Sequence, residues 1–179
     1  MRATVHRVGA ASAYVSDVQM SVLHSLRQLD PQGRRIHVAH LPAFDVPLEL
    51  GLSSPFVLVV AAEAAQVSAN TIGILADAVV KQGAVYAVCW GPRCELVEEV
   101  FDWAWIAYEQ YYYFPDDTVL ITTSHPRDTL AEALWFAFYS ATPTEPFAGS
   151  CKDVVVLSVG RIAAQNLEGT IIQVLAGAA

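Results

Sequence analysis

The sequence predicts an α/β protein: a three-layer α/β/α sandwich with a mostly parallel sheet, Rossmann-like or flavodoxin-like. Three observations carry this. Between residues 56 and 159, apolar runs alternate with segments of helical periodicity in the order β-α-β-α-β-α-β. Such alternation implies parallel strands joined by right-handed crossovers, with helices on both faces. The runs are apolar at nearly every position rather than at every second one, which is the pattern of strands buried on both sides. Hydrophobic residues make up 54% of the chain and charged ones 16%, against about 25% charged in an ordinary soluble domain. So much apolar sequence needs an unusually large buried share or a partner's cover.

Residues 1 to 15 are weakly patterned, a strand or a loose arm. From Ser16 to Leu29, the apolar positions Val18, Val22, Leu23, Leu26 and Leu29 recur at helical spacing. Ser16 or Asp17 can cap that segment, and Asp30-Pro31-Gln32-Gly33 ends it, so a helix is expected. RIHVAHL, Arg35 to Leu41, reads as a short strand. Pro42, Pro47 and Pro55 then punctuate a surface connection.

FVLVVAA, Phe56 to Ala62, is a continuous β-branched run of the central-strand type. Ser68 or Asn70 can cap the helix TIGILADAVVKQ, which Gly83 stops. The strand Ala84 to Trp90 follows, then a helix from about Arg93 to Gln110 with Pro92 at its first turn, where a missing N–H costs nothing. An aromatic loop over 111–117 leads to the strand TVLITT, Thr118 to Thr123. Asp128 or Ser124 caps the helix TLAEALWFAFYS. After the loop ATPTEPFAGS comes the last clear strand, DVVVLSV, Asp153 to Val159. The tail RIAAQNLEGTIIQVLAGAA fits a helix better than a strand.

At 179 residues the chain can bury one full core. No composition break divides it, so residues 1–179 are read as a single domain: an N-terminal helical extension over 1–34, a sheet core over 35–159 and a C-terminal segment over 160–179. The net charge is −8 and the basic residues are scattered, so no stripe could follow a phosphate backbone and no nucleic-acid partner is expected. The odd count of cysteines, Cys89, Cys94 and Cys151, argues against a closed disulfide framework. With no apolar run of signal-peptide or membrane-span length, the expectation is a cytoplasmic protein with no membrane partner.

The least ordinary chemistry lies in two corners. Cys89-Trp90-Gly91-Pro92-Arg93-Cys94-Glu95 follows one strand, and Thr123-Ser124-His125-Pro126-Arg127-Asp128 repeats its Pro-Arg step after the next. A third turn offers Glu63, Gln66 and Ser68. In an open parallel sheet, ligands bind beyond the carboxyl ends of the strands. Each of these turns precedes a helix and so presents free amides and the positive end of a helix dipole. The expected ligand-binding set is Glu63, Ser68, Trp90, Gly91, Arg93, Ser124 and Arg127, and the expected ligand is a small anionic metabolite bearing a phosphate or carboxylate. Against this stands plain helix-end pairing of Arg93 with Glu95 or Glu98, and of Arg127 with Asp128 or Glu132.

Cys94, at a helix start beside Arg93, is the nucleophile candidate, because both neighbours would favour thiolate. His125 would be its base and Glu63 the group that orients it. The plainer reading makes Cys94 a half-buried helix-start residue. Cys89 belongs to a buried strand. His37 and His40, three apart on a strand, face opposite ways, and His6 and His24 lack ligand companions, so no metal site is expected. No glycine-rich phosphate fingerprint occurs, and no cofactor is expected. Residues 101 to 114 are crowded with aromatics. Trp103 and Trp105, two apart on a helix, cannot face the same way, so part of this surface is expected to form a homo-oligomer contact.

AVCWGPRCE, Asp102 in the helix and VLITTSHPRDTLAEALWFA together resemble an uncharacterised bacterial domain family of Rossmann-like appearance, over about residues 56 to 159. The resemblance implies the fold and marks the two corners as landmarks. It transfers no mechanism. The leading reading is a small anionic-ligand-binding or protein-interaction module, and the alternative is a cysteine-dependent hydrolase or transferase using Cys94 and His125.

Overall fold

Phe56–Ala62 and Asp153–Val159 are buried at every residue and form the middle of a six-stranded sheet. The computed structural model describes residues 23–53, 55–112, 117–161 and 166–177. In chain order the strands are β1 (His24–Leu29), β2 (Arg35–Leu41), β3 (Phe56–Ala62), β4 (Ala84–Trp90), β5 (Ile121–His125) and β6 (Asp153–Val159). The described helices are α1 (Ala69–Lys81), α2 (Cys94–Glu109), α3 (Leu130–Tyr139), the short α4 (Glu145–Ala148) and α5 (Leu167–Leu175). The sheet order is β1-β2-β6-β3-β4-β5. β1 runs antiparallel to β2, and every other pairing is parallel.

Alternate residues of β3 enter two separate cores, as the period-two geometry of a strand requires. Phe56, Leu58 and Val60 pack with Ile72 and Leu75 of α1 and with Val97 and Phe101 of α2. Val57 and Val59 pack with Leu134 and Phe138 of α3 and with Ile171 and Val174 of α5. The expected helix in the tail is therefore present as α5. No described helix is long and apolar enough to cross a membrane.

Two expectations need correction. Residues Ser16 to Val22 of the expected N-terminal helix lie outside the described residues, but His24–Leu29 is a strand on the sheet edge. The sheet therefore begins before residue 35. The helical spacing of Leu23, Leu26 and Leu29 loses to the unpaired edge of β2, which needs a neighbour to satisfy its N–H and C=O groups. The strand expected from Thr118 begins instead at Ile121 and runs to His125, so Ser124 and His125 are strand residues rather than turn residues.

Candidate functional site

The parallel register of β4 and β5 sets Trp90 opposite His125. Both strands end there, so the two proline corners leave the sheet side by side. A hollow of about 450 Å³ opens between them, lined in part by Trp90, Gly91, Arg93, Glu95, His125 and Asp128.

The first corner is tightly built. Gly91 has φ +109°, and a Cβ there would stand 2.2 Å from the carbonyl oxygen of Ala62 at the end of β3. Only glycine lets the chain pass so close to a neighbouring backbone. Arg93 follows in the left-handed region, φ 61°, as the N-cap of α2, and no side chain caps that helix start. The Arg93 guanidinium leans back to the carbonyl of Ala65 at 3.4 Å.

The second corner is tied by hydrogen bonds. His125 Nδ1 lies 2.7 Å from Asp128 Oδ2, and its Nε2 lies 3.3 Å from Thr123 Oγ1. The ring is 9% exposed and rests against Phe136, with centroids 4.9 Å apart. The Trp90 indole donates to the Asp128 carbonyl at 2.8 Å, bridging the two corners. The Asp128 carboxylate and the Thr123 hydroxyl thus hold the ring at both nitrogens. Thr123 also bonds Tyr86, whose phenol burial pushes above its ordinary value.

Of the expected site residues, the hollow gathers Trp90, Gly91, Arg93 and His125. Ser124 sits within β5 opposite Cys89, and Arg127 is exposed beyond the lining. Glu63 stands beside Gly160 at the ends of β3 and β6, outside the lining. Ser68 spends its hydroxyl as the N-cap of α1, accepting from Thr71 N at 3.2 Å. The start of α3 is closed by its own capping box: Thr129 Oγ1 accepts from Glu132 N, and the Glu132 carboxylate accepts from Thr129 N at 2.7 Å. Its N-cap is thus Thr129 rather than Asp128 or Ser124, and the Thr129 and Glu132 amides are already paired.

Cys94 departs from the expectation of an activated thiolate. It is 1% exposed, and burial, reinforced by the Glu95 carboxylate, pushes its thiol above the ordinary value. Its sulfur lies 3.8 Å from Glu95 Oε2, while both nitrogens of His125 have other partners. The hydrogen bond between the sulfur and the His125 backbone lowers the thiol's value but does not offset the loss of hydration on burial. Sequence reasoning took Asp128 for a helix cap and missed its bond to His125. The His-Pro-Arg-Asp spacing, with the acid three residues on, is compatible with that bond but equally with a helix cap.

A search of curated proteins and a search of solved structures each found no match. A family model, the Domain of unknown function (DUF7684), matches residues 36–174, a span running from β2 into α5. The match bears out the resemblance to an uncharacterised family, and the chain belongs to that family.

Proposed function

We propose that the hollow between the β4 and β5 corners binds a small metabolite through an anionic group. The observation that carries this reading is the register of Trp90 with His125, which turns two separate sequence motifs into one concavity. Its volume, about 450 Å³, falls in the range of small-molecule sites, roughly 300–1,000 Å³. Arg93 supplies a fixed positive charge, His125 a proton-bearing ring, and the uncapped start of α2 a favourable dipole. Glu95 and Asp128 share the lining, so the best ligand also carries a hydroxyl or amino group that donates to a carboxylate. A hydroxy acid, an amino acid or a phosphorylated alcohol answers that description. In this reading the fold is a three-layer, Rossmann-like frame, and its free thiols suit a reducing cytoplasm.

A thermal-shift screen of carboxylated and phosphorylated metabolites tests the site. At least one member should raise the melting temperature at millimolar concentration, and Arg93→Ala should remove that rise without unfolding the protein. A rise that Arg93→Ala leaves intact would place the ligand elsewhere.

The aromatic segment divides. Phe101 and Trp105 are core residues, whereas Trp103 is 63% and Tyr111 82% exposed. Tyr113 and Phe114 lie outside the described residues. We infer that the exposed part pairs with a second copy of the chain, since large aromatics left in water favour such contacts. Light scattering should then give a dimer mass that Trp103→Glu reduces to the monomer value.

A further inference from the structure

A second polar cluster lies at the opposite end of the sheet, where β2 and β6 begin. We propose that Ser25, His37 and Asp153 form a nucleophilic relay there, able to take an acyl group from a small, sterically open carboxylic ester. Three strands build it. Arg35 and His37 are two apart on β2 and so share a face. Asp153 stands opposite Arg35 in the parallel register, and Ser25 stands opposite His37 in the antiparallel one. All four side chains therefore converge without any special turn.

The distances are those of a hydrogen-bonded relay. Ser25 Oγ is 2.8 Å from His37 Nδ1, and His37 Nε2 is 2.7 Å from Asp153 Oδ1. Arg35 grips the same carboxylate with Nε on Oδ1 at 2.8 Å and Nη2 on Oδ2 at 2.8 Å, which fixes its orientation. Asp153 is fully buried and His37 is 6% exposed, so acid and base are fixed by packing. Ser25 is exposed, and the relay ends at solvent. A cluster serving only to hold β1 in place has no need of an open hydroxyl at its end. Next to Ser25 the ladder slips, setting three residues of β1, Leu26 to Gln28, opposite Ile36 alone. Such bulges free backbone groups and occur beside active sites.

The imidazole is turned end for end relative to the serine-protease arrangement, with Nδ1 on the hydroxyl and Nε2 on the acid. The chemistry needs only that each nitrogen has its own partner. Ser25 Oγ attacks the ester carbonyl carbon, its proton passes to His37 Nδ1, and Asp153 stabilises the imidazolium. The C–O bond breaks, and the departing alkoxide takes the proton from His37. Water, deprotonated by the same nitrogen, then attacks the acyl-serine and releases the carboxylic acid, restoring Ser25.

An alkyl fluorophosphonate reports the first step directly: an O–P bond forms at serine, fluoride leaves, and the proton goes to the base. The full chain is treated with this probe, and adducts are located and timed by peptide mass spectrometry. Ser150, exposed and bonded within its own turn at 3.1 Å, serves as the reference serine. Ser25 should label at least about 100-fold faster than Ser150, the scale of general-base assistance. His37→Gln, folded by circular dichroism, should lose that advantage. Equal rates at Ser25 and Ser150 in the unmodified protein would overturn the proposal, whatever the variant does. So would labelling of Ser25 that persists unchanged in folded His37→Gln.

Discussion

Gly91 and Cys94 sit three residues apart in one corner, and the two were not equally readable from sequence. A glycine before a Pro-Arg step at a strand end announces a tight turn. Its φ of +109° and the 2.2 Å approach a Cβ would make to Ala62 show why nothing larger fits. Gly91→Ala should cost more than about 2 kcal/mol, read from the urea midpoint, and a loss below about 0.5 kcal/mol would mean that the corner relaxes freely. For Cys94 the sequence left two readings open, because it shows that a thiol is near a helix start but not which way the first turn is rolled. Here it is rolled inward, and burial raises the thiol's pKa. Iodoacetamide at pH 7.5 should therefore modify Cys94 at least about tenfold more slowly than free cysteine. Rapid labelling would restore the case for a cysteine nucleophile. That Trp90, Arg93 and His125 line one hollow was legible, because strand ends and motifs coincide there. The partnership of Asp128 with His125 was not, since an acid after a turn reads equally well as a helix cap.

Helices and strands with strong local signals were found close to their observed limits. α1 carries its Ser68 cap, and β3, β4 and β6 follow the apolar runs. β5 begins three residues later than expected, and β1 was missed for a physical cause: an exposed edge strand has no apolar face to announce itself, so chance helical spacing prevailed. The capping box of α3 can be measured in isolation. Thr129→Ala removes an acceptor for Glu132 N and a partner of the Glu132 carboxylate, and should cost about 1 kcal/mol in a denaturant titration. The other end of α3 is closed from outside by a buried cation. Arg34 donates to the carbonyls of Ala137 and Ala141 at 2.8 and 2.9 Å, and its Nε meets Asp30 at 2.6 Å. Their side chains are 4% and 0% exposed. Arg34→Met leaves the buried Asp30 without its counter-charge, held only by the Gln32 and Arg34 amides, and uncaps the helix, so a loss of about 3–5 kcal/mol is expected. The double variant Arg34→Met/Asp30→Asn, which removes the charge but keeps an acceptor for the Gln32 and Arg34 amides, should recover much of it, whereas equal losses in both would show that the carbonyl bonds, not the stranded charge, dominate.

At the scale of the whole molecule, the shortage of charge in the sequence and the two-sided burial of β3 and β6 are one fact. Strands covered on both faces place their polar groups in the same low-dielectric interior as their valines. Three thiols share that interior. Burial raises Cys89 well above the ordinary 9.0, helped by the nearby carboxylates of Glu98 and Asp102. It also raises Cys94 and Cys151 from 9.0. The Tyr86 phenol is raised from 10.0 in the same way. Above pH 9 the unfolded chain releases the thiol protons while the folded chain keeps them, so the folded state binds more protons and stability falls as pH rises. Each thiol that ionises only on unfolding contributes a loss of about 1.4 kcal/mol per pH unit, and Tyr86 adds to the slope above pH 10. Self-repulsion of a chain already at −8 pulls in the same direction, so the slope alone does not identify the thiols. Cys89→Ala/Cys151→Ala separates the two causes, because it removes two of the thiols and leaves the formal charge at pH 7 unchanged. Chemical denaturation between pH 7 and 10.5 should show the unmodified protein losing stability from about pH 9. The double variant should be less stable at neutral pH, from lost packing, but flatter above pH 9. Parallel curves would show that Cys89 and Cys151 do not set the alkaline loss.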